Sequence, residues 1–352
     1  MNNYKVIGVM SGTSLDGVDI AYCNFSEDNS KWSYCIEYAE TFSYSDTWKE
    51  TLSTLDNSTA FRFVSVHKEY GHFLGKLVSD FIAKHHILPD FVASHGHTIF
   101  HQPDKRITCQ IGDGAAIAAE CGIPVVCDFR SVDVALGGQG APLVPIGDKF
   151  LFPDFDYCLN LGGFANISYE CNAKRIAFDI SPVNIVLNRI AENSGKAYDD
   201  NGNLASAGYV NRELLNMLND LEYYKKIHPK SLGKEWVMQY FNPLIDKFNL
   251  PDEDKLCTIC EHIAFQIASV VNPAENKNML VTGGGAYNSF LIVRLEEYCK
   301  CKIIIPDAKT IEYKEALIFA FLGVLRMNNK NNSLSSVTGA TRDNISGAVY
   351  LS

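Results

Sequence analysis

The chain has 352 residues, 47% of them hydrophobic and 20% charged, with a formal net charge of -10. That supports a large packed core without help from disulfides or structural metals. The acidic balance, with no run of Lys or Arg, argues against a nucleic-acid partner.

Eleven cysteines, an odd number spread from Cys23 to Cys301, fit a reduced, cytoplasmic setting better than a disulfide scaffold. The opening Met1-Asn-Asn-Tyr-Lys5 lacks the basic start and long apolar stretch of a secretory signal. No apolar run reaches the ~18–20 residues that cross a bilayer, so no membrane role is expected.

In chain order, an apolar run over 6–10 ends in Ser11-Gly12-Thr13-Ser14-Leu15-Asp16-Gly17, and a second strand-like run over 18–25 follows. A strand, a turn rich in glycine and hydroxyls, and a strand present N–H groups and hydroxyls to a phosphate. Asp16 and Asp19 beside the turn suit a magnesium ion. It is not a Walker loop, since Gly-Lys-Ser/Thr is absent and a strand follows. A plain hairpin with a small-residue turn is the competing reading; a phosphate hairpin points to a kinase of the sugar-kinase, actin and Hsp70 architecture.

From Tyr70, the spacing of Phe73, Leu74, Leu77, Val78, Phe81 and Ile82 predicts a buried helix face, stopped at Ile87-Leu88-Pro89. Residues 91–94 read as a short buried strand with His95-Gly96-His97-Thr98 at its carboxyl end, where a glycine between polar residues suits ligand approach. A zinc reading of His95, His97 and His101 lacks partner ligands at matched spacing. A helix over 114–121 and a strand over 124–127 follow, and then Asp128-Phe-Arg130. The Arg130 fork suits a carboxylate or phosphate, or an internal pair with Asp128 or Asp133. Strands alternating with helices argue for an α/β fold with a mixed sheet.

The glycine-rich 136–143 reads as an interdomain crossing or an active-site loop. The pattern then restarts: a strand over 157–161, the turn Gly162-Gly163, and a strand over 165–169. Two hairpins with glycine turns suggest duplicated halves, although no residue-level repeat is visible. Asp179, in Ala177-Phe-Asp-Ile-Ser-Pro-Val-Asn184, sits where a strand end turns into a helix. Such positions hold catalytic groups, and a carboxylate there can take a proton from a hydroxyl or water; helix capping is the plainer use. Further on come a helix over 256–270, with Cys257 and Cys260 read as packing, and a strand over 278–282 closing in Gly283-Gly284-Gly285. A helix over about 288–298, a strand over 302–305, a helix opening at Glu315, a polar mobile loop over 328–333 and a docked tail complete the chain.

These segments together resemble the anhydro-N-acetylmuramic acid kinase family. The matching stretches include Ile7-Gly-Val-Met-Ser-Gly-Thr-Ser-Leu-Asp-Gly-Val-Asp19, Ser94-His-Gly-His-Thr98, Asp133-Val-Ala-Leu-Gly-Gly-Gln-Gly-Ala-Pro-Leu-Val-Pro145, Asn160-Leu-Gly-Gly-Phe-Ala-Asn-Ile167 and Val281-Thr-Gly-Gly-Gly285. The resemblance implies two RNase H-like domains of the sugar kinase/actin/Hsp70 type, with mixed sheets flanked by helices and a central cleft. Domain I is expected over 1–133 with about 335–352, and domain II over 134–334. The implied activity uses ATP and magnesium to open a 1,6-anhydro amino sugar with water and phosphorylate O6, in peptidoglycan recycling.

By similarity, Gly12, Thr13, Ser14, Leu15, Asp16, Gly17, Val18 and Asp19 hold the ATP phosphates, with Asp16 and Asp19 on the metal. Gly162, Gly163, Gly283, Gly284 and Gly285 complete the nucleotide site. Asp179 activates the water; Thr98, His97, Arg130 and Glu315 are expected on the sugar. A homodimer is also implied. Two departures stand out: Ser181 and Val183 occupy positions where the family favours small residues or none, and His97 stands where its motif has Gln.

Overall fold

The computed structural model describes residues 2–12, 15–272 and 276–352. Two compact units form, Met1–Leu151 with Tyr313–Ser352, and Phe152–Glu312. The expected boundaries at 133/134 and 334/335 both fall inside the first unit. The reason is local: the helix Val144–Leu151 packs there, with Gly147 against Ile318, the Phe150 ring 6.2 Å from Phe321, and Asp148 paired with Lys314 at 2.7 Å.

In the first unit, β1 (Asn2–Ser11), β2 (Gly17–Asp28) and β3 (Lys31–Ser43) form an antiparallel meander. Beyond β1, β4 (Phe91–Gln102) and β6 (Val125–Cys127) add in parallel, while β5 (Ile107–Ile111) folds back on β4. The order is β6-β4-β1-β2-β3. β1 is central, and Val6, Ile7 and Val9 are sealed, as a run buried on both faces requires. Gly8 has no room for a side chain: a Cβ there would run into the carbonyl of Ala316, on the helix Ala308–Met327 crossing the sheet. The C-terminal strand, Ala348–Tyr350, pairs antiparallel with β6, so the tail docks on this unit.

In the second unit, β7 (Tyr157–Leu161), β8 (Phe164–Cys171) and β9 (Lys174–Pro182) form the meander, and β10 (Asn278–Thr282) and β11 (Lys302–Ile304) add in parallel. The order β11-β10-β7-β8-β9 repeats the β6-β4-β1-β2-β3 core of the first sheet in order and direction; the first sheet adds β5 and the C-terminal strand. Each half is therefore one copy of the same α/β plan, with helices flanking a mixed sheet. The helix Asp252–Val271 seals Leu256, Ile259, Cys260, Ile263, Ile267 and Val271 against the second core.

Several elements depart from the sequence expectation. The helix expected from Tyr70 starts ten residues earlier, at Ala60, where Thr59 Oγ1 accepts from the Arg62 N–H at 3.2 Å; it ends at His86 with φ +52. Its buried stripe, Val66, Tyr70, Leu74, Val78 and Phe81, extends one turn before the visible pattern. β3 and the helix Asp46–Thr54 went unread because both expose mainly polar residues. β4 runs through His95 and Thr98 rather than ending before them. Glu315 does not open a helix but lies seven residues after Ala308. The stretch 328–333 is no mobile loop at its far end: Asn332 and Ser333 are buried, with Asn332 Nδ2 donating to the Ser346 carbonyl at 2.8 Å.

Candidate active site

The first unit gathers the residues expected at the phosphate turn and on the sugar. β1 and β2 pair as far as Ser11 with Val18, and β2 begins at Gly17. Thr13 and Ser14 lie outside the described residues. Gly12 is half-buried, Asp16 is exposed, Gly17 and Val18 begin β2, and Leu15 takes φ +61, a strained value for a γ-branched side chain. Asp19 is half-buried, and its Oδ1 accepts from Thr41 Oγ1 at 2.7 Å.

A break in register between Val9 and Ser11 brings His97 opposite Ser11. His97 is buried, with Nδ1 3.0 Å from Ser11 Oγ; burial pushes its pKa down to about 4. Next to it, Thr98 is half-buried and its Oγ1 accepts from Gln110 Nε2 at 3.3 Å. Arg130 pairs with neither Asp128 nor Asp133. Its Nε donates to His95 Nε2 at 2.9 Å and its Nη1 to the Gly140 carbonyl at 2.6 Å. Because Nε2 accepts, the neutral His95 ring carries its proton on Nδ1; burial and then the Arg130 charge hold its pKa well below the usual range. Burial pulls Arg130 itself down to about 10, with Glu315 and Asp133 opposing that shift. Glu315 is exposed; surrounding protein raises its carboxyl and Arg130 pulls it back.

The glycine-rich 136–143 belongs to this unit and is anchored by a buried carboxylate. Asp133 Oδ2 accepts from the Gly140 N–H at 2.8 Å. Its Oδ1 accepts from Ser333 Oγ, Thr338 Oγ1 and Asn344 Nδ2 at 2.8–2.9 Å. Four donors therefore tie the loop that holds Arg130 to the C-terminal segment.

The second unit carries Asp179 and the other glycine turns. A bulge between Ala165 and Asn166 sets Asp179 opposite Asn166, near the end of β9. Asn166 Nδ2 donates to Asp179 Oδ1, and the Leu232 N–H donates to Oδ2 at 2.7 Å. The backbone is clamped as well: Tyr223 Oη donates to the Asp179 carbonyl at 2.6 Å and the Asp179 N–H to the Lys230 carbonyl at 3.3 Å. Burial raises the carboxyl, while the two donors to its oxygens lower it. The result is a fixed, partly desolvated carboxylate, suited to accepting a proton.

Ser181 and Val183 are fully buried, so neither side chain stands at an open surface. Gly162 and Gly163 offer carbonyls to the helix Asn184–Asn193, accepting from the N–H groups of Asn184 and Val183 at 3.2 and 2.8 Å. Gly283 has φ +81, and a Cβ would sit 2.9 Å from the Leu161 carbonyl oxygen, so only glycine closes this turn beside β7. Gly284 and Gly285 open the short 3₁₀ turn that follows. Asn166 and the Leu232 N–H were not anticipated, and His95, expected to line a ligand, instead accepts from Arg130; the sequence signal for Asn166 was its place just after the Gly162-Gly163 turn.

The family model described as anhydro-N-acetylmuramic acid kinase matches residues 4–352. The chain belongs to the anhydro-N-acetylmuramic acid kinase family. It is 35% identical to the anhydro-N-acetylmuramic acid kinase of Sulfurovum sp. (strain NBC37-1), over 100% of both chains. It is 36% identical to that of Pasteurella multocida (strain Pm70), over 98% of this chain and 96% of the relative. Among solved structures, it is similar to the activator of 2-hydroxyisocaproyl-CoA dehydratase from Clostridium difficile. That match has a TM-score of 0.43 and 13% identity, and covers 92% and 97% of the two chains. Family membership makes the chain a sugar kinase. No helix among the described residues is long and apolar enough to cross a membrane.

Proposed function

We propose that this protein uses ATP to convert 1,6-anhydro-N-acetylmuramic acid into N-acetylmuramic acid 6-phosphate, a step in peptidoglycan recycling. The observation that carries this reading is Asp179, a carboxylate held by Asn166 and Leu232 and partly desolvated at a strand end. Such a group can take a proton from water as the oxygen bonds to the anomeric carbon. The C1–O6 bond breaks with its electron pair leaving on O6. That oxygen then bonds to the γ-phosphorus, and the bond to ADP breaks. The proton left on Asp179 passes to solvent, so one water is consumed and one proton released.

The other roles are those that the family resemblance implies. Residues 12–19, with Gly162, Gly163, Gly283, Gly284 and Gly285, hold the nucleotide. Magnesium is bound through one or two carboxylates with waters and phosphate oxygens, not by an all-protein cage. The exposed Asp16 and half-buried Asp19 fit that pattern, and no group of three or more His, Cys, Asp or Glu among the described residues could hold a metal alone. The ion would neutralise developing phosphate charge. Arg130, kept charged and aimed by His95 and Gly140, suits the lactyl carboxylate. Thr98 and Glu315 hydrogen-bond sugar hydroxyls.

The testing experiment is ADP release with Mg-ATP and the anhydro sugar, followed by mass spectrometry. A product heavier than the sugar by one water and one phosphoryl group supports the reading. Turnover only with another sugar would reassign the substrate. ATP binding without turnover on any sugar would leave a nucleotide-binding protein.

A further inference from the structure

Ser11 is the last residue of β1, directly before the turn, and its hydroxyl is crowded with partners. Its Oγ lies 2.6 Å from Tyr44 Oη, 2.8 Å from Tyr70 Oη and 3.0 Å from His97 Nδ1. The two tyrosine oxygens are themselves 2.5 Å apart. Ser11, Tyr44, Tyr70 and His97 are all buried, at 4% exposure or less, so bulk water does not reach the set and its partners must be one another.

Four contacts require four protons, and three hydroxyls supply three. They satisfy the three oxygen–oxygen contacts only as a closed ring, each donating to the next. Ser11 Oγ then has one lone pair left, and the proton between it and His97 must come from the imidazole. The reverse assignment, with Ser11 donating to Nδ1, leaves two tyrosine protons for three contacts. One buried pair of oxygens would then face each other with no hydrogen between them, an uncompensated cost.

We propose that His97 is a positioning residue: its Nδ1–H donates to Ser11, completing a ring with Tyr44 and Tyr70 that fixes the start of the phosphate turn. This rests on reading residues 12–19 as that turn. Ser11 is saturated, with one donated and two accepted bonds, so its side chain holds one rotamer and Gly12 leaves β1 in one direction. The neutral ring is the Nδ1–H tautomer, with Nε2 the bare nitrogen. Burial also raises the pKa of both tyrosines, so neither loses its proton. The position needs a donor. The amide of Gln supplies one, Leu supplies none, and an ionised Glu would offer only lone pairs.

The first test is a long-range proton–nitrogen correlation spectrum of the full-length protein labelled with nitrogen-15, with His97 assigned by its loss in His97→Gln. A protonated Nδ1 and a bare Nε2 are expected; the opposite tautomer overturns the proposal, whatever the enzyme's activity. The second test is kinetic, with the fold of each variant checked by thermal melting. His97→Gln should hold the KM for ATP within about threefold, and His97→Leu should raise it roughly tenfold. A lower melting temperature for His97→Leu with KM for ATP unchanged would reduce His97 to a packing residue. If no sugar is turned over, calorimetric ATP affinity replaces KM. That result separates a failed substrate assignment from a failed ring.

Discussion

At the scale of single residues, Asp179 is where the chemistry and the energetics meet. Burial disfavours its charged form, and donors from Asn166 and Leu232 restore part of what burial takes away. The base proposed here must be ionised to work, so turnover should fall as pH drops through a pKa above the ordinary value of about 3.9. Initial rates across pH will read that acid limb. Asp179→Asn should cost roughly 10²–10⁴-fold in kcat while calorimetry shows ATP still bound. Asn166→Ala removes a bond that favours the charged form, so its acid limb should move to higher pH; an unmoved limb would deny Asn166 that role. The chain alone points to Asp179, Thr98 and Arg130 as candidates because each lies within a few residues of a short apolar run. What Asn166 and His95 do is not legible there: it depends on cross-strand register and on a partner 35 residues away.

At the scale of elements, the helices Val144–Leu151 and Ala308–Met327 are joined by a nearly buried ion pair, Asp148 with Lys314 at 2.7 Å. Removing one partner leaves a buried charge that has lost this ion pair. Lys314→Ala should cost about 3–5 kcal/mol in urea unfolding, and Lys314→Met with Asp148→Leu should recover most of it. If the single variant costs no more than the double, the pair is not desolvated. Elements with strong apolar periodicity, such as Gly114–Cys121, Tyr157–Leu161 and Asn278–Thr282, lie where the sequence puts them. β3 and β5 did not show, because their pairing is set by neighbours and their residues are largely polar or half-exposed. Asn332 and Ser333 read as loop for a related reason: polarity marks solvent unless partners are buried with it, and here Ser346 and Asp133 supply them.

At the scale of the whole molecule, buried neutral histidines tie stability to pH. Burial lowers the pKa of His97 to about 4 and of His262 to about 3, and holds His95 well below normal. In the unfolded chain each titrates near 6.5. A depressed folded pKa means that the unfolded state takes up the proton first. Their stabilisation is thus full above pH ~6.5 and lost as pH falls from there toward the folded values. His95 and His97 by themselves should lower the first unit's stability by about 2.7 kcal/mol per pH unit once the unfolded rings are charged, His67 and His101, also depressed by burial, adding to that, and His262 should lower the second unit's by about half as much. Thermal melting between pH 7 and pH 4.5 will read this slope; a flat profile would mean that the rings accept protons in place. The α/β class, the paired hairpins and the family are written in the chain, because they rest on local periodicity, turn chemistry and motif order. The repeated strand order, the unit boundaries and the partners of Ser11, Arg130 and Asp179 emerge only on folding. Those depend on which distant atoms come within about 3 Å of one another, and hydrogen bonding at that range leaves no periodic trace in the chain.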